Sequence, residues 1–363
     1  MSEVSVASSE VKLEPLARKN YWTLDIVKFF CALTIISAHF ASEWGTFPSV
    51  IDYAFSIYII AVPFFFACSG FLFFVKLNSI PTKEGKFTYF LNYEKRILIM
   101  YGLWTLVYLI HIISGWCSKG IFNIKTILNW LHMAAVIQTY STIWFLPALA
   151  VGIAIAYFLV TRLSKGQMIA LCVALYVFGM FGQTYSFVFA GTPVGTFYEW
   201  YLIAFKTTRN GVFNAVPFIY MGYLAAGGNM QPSKEKAIKY GVCAGVSFGL
   251  MIGESFILKM KFNVTGMDFG VFVAVFTYFL LMTALCIDLK ERKIFVWFRK
   301  LSILIFVTQR IFLSMLPFFF PEVFAFLYKN SYVGLIVVIA LTIGFSIGFI
   351  FLSKKVKFLK RMY

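Results

Sequence analysis

Asp25, Lys28, His39 and Glu43 stand out because they lie in or beside an otherwise apolar run that begins at Trp22. Lys28 and His39 are eleven residues apart. On an α-helix, eleven steps of about 100° return to within about 20° of the starting direction, so both side chains share one face, about 16 Å apart along the axis. An imidazole titrates near neutral pH and can take a proton from a hydroxyl, while a fixed amine can hold an anionic group. Glu43, four residues beyond His39, shares that face and is placed to orient the ring. The same residues also suit an architectural role. Asp25 and Lys28, three apart, can pair at a membrane interface with Lys28 snorkelling, and His39 can hydrogen-bond between helices.

Other costly residues lie further along. Arg310 falls about nine residues, or about 14 Å, into a late apolar run, where an isolated charge costs several kcal/mol in a bilayer. It needs a partner, for which Glu254, Asp268 or a helix C-terminus are candidates, or a ligand. Gln309 beside it can donate or accept. Lys95 and Arg96 open another apolar run and can either bind the phosphates of a nucleotide-type donor or mark topology. Ser69, Gln309 and Arg310 are candidate hydrogen-bond donors to a developing oxyanion. His111 and His132 read as interfacial. The six cysteines, Cys31, Cys68, Cys117, Cys172, Cys243 and Cys286, show no CxxC and no metal-ligand spacing, and read as small buried hydrophobes; no metal is expected.

The elements that must position these residues are membrane helices. Of 363 residues, 61% are hydrophobic and only 13% are charged, against about 25% charged in a typical soluble domain. A span needs about 20 mainly apolar residues, and ten such stretches are expected: 22–42, 54–75, 97–116, 143–162, 167–187, 210–228, 240–258, 268–288, 301–317 and 332–352. The fold class is therefore all-α, a polytopic membrane protein. Residues 126–138 read as a short interfacial or re-entrant stretch, and 188–209 as a polar-aromatic loop. With the N-terminus placed in the cytoplasm, the basic residues divide 23 to 7 in favour of the inside segments, which puts both termini inside and requires an even number of spans. The organisation expected is a cytoplasmic segment 1–20, a membrane domain 21–353 and a basic cytoplasmic tail 354–363. The net charge of +17 is explained by topology and by anionic lipid, with no nucleic-acid-binding motif set apart from the spans. The first apolar run carries Asp25 and Lys28 and is too long for a cleaved leader. Gly241, Gly245, Gly249 and Gly253 recur every four residues, a ladder expected to pack against a neighbouring helix. The sequon Asn263-Val264-Thr265 falls in an expected outside loop.

Taken in order, these residues resemble the acyltransferase-3 family of membrane O-acyltransferases over residues 20–352. The segment from Leu24-Asp25-Ile26-Val27-Lys28 to Ser37-Ala38-His39 is similar to the family's opening helix. Pro63 to Phe71 is similar to its P-x-F-F-x-x-S-G-F segment. Lys95-Arg96 with Tyr101, then Ile143-Trp144-Phe145-Leu146, then Arg209-Asn210-Gly211-Val212-Phe213 with Met221-Gly222 follow in the family's order. The stretch from Arg209 to Tyr223 also resembles the membrane domain fused to racemases in glycopeptide-resistance proteins. Departures fall at Ile99, where a second Arg is common, at Ser141 and Thr142, where a His often precedes the W-F-L segment, and at Ser302, Phe306 and Gln309, where S-x-x-x-Y-x-x-H is common.

The resemblance implies an acyl-CoA donor, usually acetyl-CoA, bound from the cytoplasm as a substrate, with no permanently bound cofactor. It implies a hydroxyl acceptor on a cell-envelope sugar or a related molecule, in the cell membrane. His39, supported by Glu43, would be catalytic; Lys28, Lys95 and Arg96 would bind the donor; Ser69, Trp144, Arg209, Gln309 and Arg310 would contact substrate. Membrane lipid surrounds the chain, and if an extracytoplasmic partner protein is needed it would be a separate chain, since this one stops at Tyr363. Two other readings stay open: a transporter or flippase of a small polar solute or lipid headgroup, and a sensor or scaffold without catalysis.

Overall fold

The computed structural model describes residues 20–44, 59–228, 231–264 and 267–363. Among these every regular element is helical. The order is α1 (Trp22–Glu43), α2 (Ala61–Asn78), α3 (Lys83–Ser118), α4 (Ile124–Val136), α5 (Phe145–Leu159) and α6 (Lys165–Phe181). It continues with α7 (Pro193–Phe205), α8 (Val216–Gly227), α9 (Lys234–Phe262), α10 (Val271–Cys286) and α11 (Lys293–Arg310), then α12 (Leu316–Phe319), α13 (Pro321–Lys329) and α14 (Ser331–Lys355). Helix starts follow the sequence's polar punctuation. Thr82 accepts from Gly85 N at the head of α3, and Ser164 and Gln167 form a reciprocal capping box at the head of α6. The head of α10 has no local cap; Glu254, from the middle of α9, reaches over and accepts from Val271 N at 2.6 Å and Phe272 N at 3.0 Å.

A helix stands at each of the ten expected positions, but among the described residues seven helical runs are long and apolar enough to cross a membrane by length and composition. The runs Lys165–Phe181, Gly211–Gly227 and Val271–Cys286 are apolar but shorter, at 10–17 residues. Residues 126–138 do form a separate short helix, α4. The expected polar-aromatic loop 188–209 is largely helix instead: Thr192 caps it, Pro193 opens it and α7 runs to Phe205. Residues 1–19, most of the loop between α1 and α2, and Thr265 of the sequon lie outside the described residues. Cys31, Cys68, Cys172 and Cys286 are buried as expected, whereas Cys117 is exposed.

Two contacts set the frame of the bundle. First, α1 and α11 run side by side in the same direction. Asp25 meets Arg299 at 2.8 Å near one end, and Phe29 stacks on Phe298 with centroids 4.5 Å apart. Beyond the other end Trp44 donates its indole N–H to the Leu313 carbonyl at 3.1 Å. Second, α2 and α8 touch backbone to backbone. A Cβ at Gly70 would lie 2.4 Å from the Ile219 carbonyl oxygen, and one at Gly222 would lie 2.2 Å from that of Ala67. Only glycine fits at such a crossing. The glycine ladder on α9 behaves differently from expectation. Gly245, Gly249 and Gly253 have nothing within 4 Å of a Cβ, and Gly241 has only Thr283 at 3.8 Å. The face of α9 that packs on α10 is the neighbouring stripe of Ala244, Ser247, Met251 and Leu258.

Candidate active site

The last turns of α1 and α11 bring one cluster together. His39 Nδ1 lies 3.1 Å from Gln309 Oε1. Gln309 is fully buried, and its amide nitrogen donates to the Phe306 carbonyl at 3.1 Å. Arg310, the next residue, is paired with Glu43 and donates to Ser141 Oγ at 3.2 Å. Its guanidinium is almost entirely buried, and its Nε has no partner. Two expectations change here. Glu43 was expected at the imidazole, yet its partner is Arg310, because a buried guanidinium attracts a carboxylate more strongly than a neutral ring does. The counter-ion of Arg310 is accordingly Glu43 rather than Glu254, which caps α10, or Asp268, which is taken by Arg209. Gln309, expected to contact substrate, has both ends of its amide engaged within the protein.

A second group adjoins the first through the 3₁₀ turn Ser141–Trp144. This turn supplies Ser141 to Arg310 and presents the Trp144 ring, over which the Arg209 guanidinium lies at 4.9 Å. Arg209 is held flat there by Asp268 at 2.7 Å and keeps 37% of its side chain exposed. Both Arg209 and Arg310 are within electrostatic reach of His39. Each stands just before a π-helical turn, Gly211–Ala215 and Ile311–Met315 respectively. Such turns shift the helical register and recur at functional sites. The first is started by Asn210, whose side chain accepts from the backbone N–H of Val212 and Phe213.

At the far end of α1 a third group surrounds Lys28. Asp25, only 3% exposed, binds Lys28 at 3.0 Å and Arg299 at 2.8 Å. Arg299 also donates to Asn20 and lies over Trp22 at 5.0 Å. Cys68 is buried in α2, and Ser69 beside it hydrogen-bonds with the Tyr93 hydroxyl. Lys95 and Arg96 are exposed. Arg96 donates to the Tyr363 carbonyl at 3.3 Å, and Trp104 donates to that of Met362 at 2.9 Å. The basic tail therefore folds back onto α3.

The structure thus joins His39, Glu43, Gln309, Arg310, Trp144 and Arg209 at one end of the α1–α11 pair. It keeps Lys28 about 16 Å away along α1, with Ser69 on the neighbouring helix near that end. The pairing of Arg299 with Asp25, the pairing of Asp268 with Arg209 rather than Arg310, and Ser141 as an arginine ligand were not legible in the sequence. Their only signal was the count of buried cations that had to find a counter-charge.

The family model of the acyltransferase-3 proteins, described as an acyltransferase domain, matches residues 21–352. The chain belongs to the acyltransferase-3 family. This acyltransferase carries several helices apolar enough for a multi-pass membrane protein. It is similar to an "Amino-acid racemase" of Enterococcus faecalis, 28% identical over 247 residues, covering 66% of this chain and 32% of that one. It is also similar to a "Serine/alanine racemase" of Enterococcus gallinarum, 25% identical over 238 residues, covering 64% of this chain and 33% of the other. The acyltransferase thus matches about a third of the length of these relatives. No solved structure matches it.

Proposed function

We propose that this acyltransferase moves an acyl group, acetyl in the first instance, from cytoplasmic acyl-CoA to a hydroxyl of a cell-envelope carbohydrate. The observation that carries this reading is the imidazole of His39, anchored on α11 by Gln309, the residue before Arg310, whose buried guanidinium pairs with Glu43. In this reading ten spans cross the cell membrane with both termini in the cytoplasm. The CoA phosphates meet Lys28, Lys95 and Arg96 at the cytoplasmic end. The extended pantetheine arm follows the face of α1 that Lys28 and His39 share, and so delivers its thioester to the imidazole.

The acceptor enters from the opposite side, past Trp144 and Arg209. His39 takes the proton of the acceptor hydroxyl as its oxygen attacks the thioester carbonyl. Charge builds on the carbonyl oxygen, to which Arg310 could offer its unpaired, buried Nε–H. Collapse breaks the carbon–sulfur bond, and the imidazolium returns the proton to the CoA sulfur. An acceptor presented by a separate extracytoplasmic protein fits the same route. Nothing of the racemase activity in the relatives' names is assigned to this chain.

The test uses the purified chain in lipid nanodiscs with acetyl-CoA and a panel of envelope sugars, following release of free CoA thiol. Thiol release that depends on an acceptor is expected, and His39→Ala should reduce it by at least about 10²-fold without loss of monodispersity. Undiminished release in His39→Ala would remove the assigned base. Solute flux into proteoliposomes without thiol release would move the protein to transport.

A further inference from the structure

A neutral imidazole carries one hydrogen on one of two ring nitrogens, and only the other can act as a base. The hydrogen bonds around His39 determine which one that is. The Phe306 carbonyl only accepts, and Gln309 Nε2 lies 3.1 Å from it, so the amide must turn its NH₂ that way. Gln309 Oε1 then faces His39 Nδ1 at 3.1 Å. A carbonyl oxygen cannot donate, so the hydrogen of this contact belongs to Nδ1.

We infer that Gln309 is a positioning residue that holds His39 as its Nδ1–H tautomer and so reserves Nε2 as the nitrogen that accepts the proton of the acceptor hydroxyl. The inference deepens the proposed reaction and rests on His39 being its base. Free imidazole has a mild preference for the opposite tautomer, so the protein has to select this one. Gln309 is fully buried, and its orientation is fixed by the backbone of its own helix rather than by solvent. Its neighbour cannot substitute for it: a guanidinium has no lone pair to offer Nδ1–H, and Arg310 is already held by Glu43 and Ser141. The Nδ1–H bond also survives protonation at Nε2, so one contact holds the ring before and after proton transfer.

The chain has three histidines, which makes its imidazole nitrogens separable by ¹⁵N NMR in nanodiscs, with His39→Ala identifying the His39 signals. The wild-type protein is expected to show a protonated Nδ1 and a bare Nε2 at His39. Gln309→Leu, which removes the acceptor, should shift the ring toward the other tautomer. It should also lower kcat about tenfold, the effect of one lost hydrogen bond, with the KM for acetyl-CoA changed less than about twofold. Gln309→Glu keeps an acceptor and should restore both the tautomer and most of kcat. A wild-type His39 with its hydrogen on Nε2 overturns the inference without any variant having to fold. So does a Gln309→Leu protein with unchanged tautomer and kcat. Full turnover in His39→Ala would instead remove the base assignment, and the spectra would still report which nitrogen Gln309 selects.

Discussion

One added methyl group at Gly70 tests the crossing that fixes α2 against α8. A Cβ there would sit 2.4 Å from the Ile219 carbonyl oxygen and 2.8 Å from its Cα, whereas ordinary contact begins at 3.4 Å. The two helices would have to separate by about 1 Å, and both obstacles are backbone, so no side-chain rotation can absorb the clash. Overpacking of this kind costs about 1–3 kcal/mol, and the better helix propensity of alanine offsets about 1 kcal/mol of it. A net loss of up to about 2 kcal/mol is expected. Gly222→Ala, whose Cβ would meet Ala67 O at 2.2 Å and Phe71 N at 2.4 Å, should behave alike. Gly245→Ala is the matched control: nothing lies within 4 Å, so only the propensity gain remains and the variant should be unchanged or more stable. Thermal unfolding in detergent, read as the monodisperse fraction surviving on gel filtration, ranks the three. A Gly70→Ala protein as stable as Gly245→Ala would refute the close crossing.

The Arg310–Glu43 pair should show the asymmetry of a charge that is buried on one side only. Glu43→Gln strands a guanidinium and is expected to cost about 1.5–3 kcal/mol, most of it recovered in the Glu43→Gln/Arg310→Met double variant; a double variant no more stable than the single one would contradict this. Arg209→Lys keeps the charge but cannot both bridge Asp268 and lie flat over Trp144. It should raise the acceptor KM about two- to fivefold and leave the acetyl-CoA KM alone, and a change confined to the donor would show that Arg209 belongs to the other substrate.

Much of the helical layout was legible because the expected spans are separated by clusters of charge, as between Lys76 and Arg96. The shared face of Lys28 and His39 was legible because α1 is one unbroken helix. What could not be read was pairing between distant segments. The sequence offers Glu43, Glu254 and Asp268 to the buried cations without saying which takes which. The choice depends on α1 lying parallel to α11, and on Glu254 being consumed by the bare head of α10. The glycine ladder failed as a guide for a related reason. Small residues permit a close approach but do not bring a partner, and α10 packs on the adjacent stripe. The helix within 188–209 was hidden because its polar and aromatic residues lack a spanning length, while the caps at Thr192 and Pro193 that define it are local signals.

The parallel pairing of α1 with α11 also explains why chemistry gathers at the two ends of one helix pair. Parallel neighbours keep their register along their whole length, so an ion pair at Asp25–Arg299 and a hydrogen bond at His39–Gln309 constrain each other. A slip of one turn, about 5.4 Å, would break both at once. Anchoring the Asp25–Arg299 end therefore also sets the height of the imidazole. The residues of α11 that hold His39 and Glu43 precede the π-turn after Arg310, so the chain beyond the turn can re-aim without disturbing them. Arg209 repeats the arrangement on a different segment, with its own π-turn after the contact residue. Two chain segments far apart in sequence thus each set an ion-paired arginine just ahead of a π-turn.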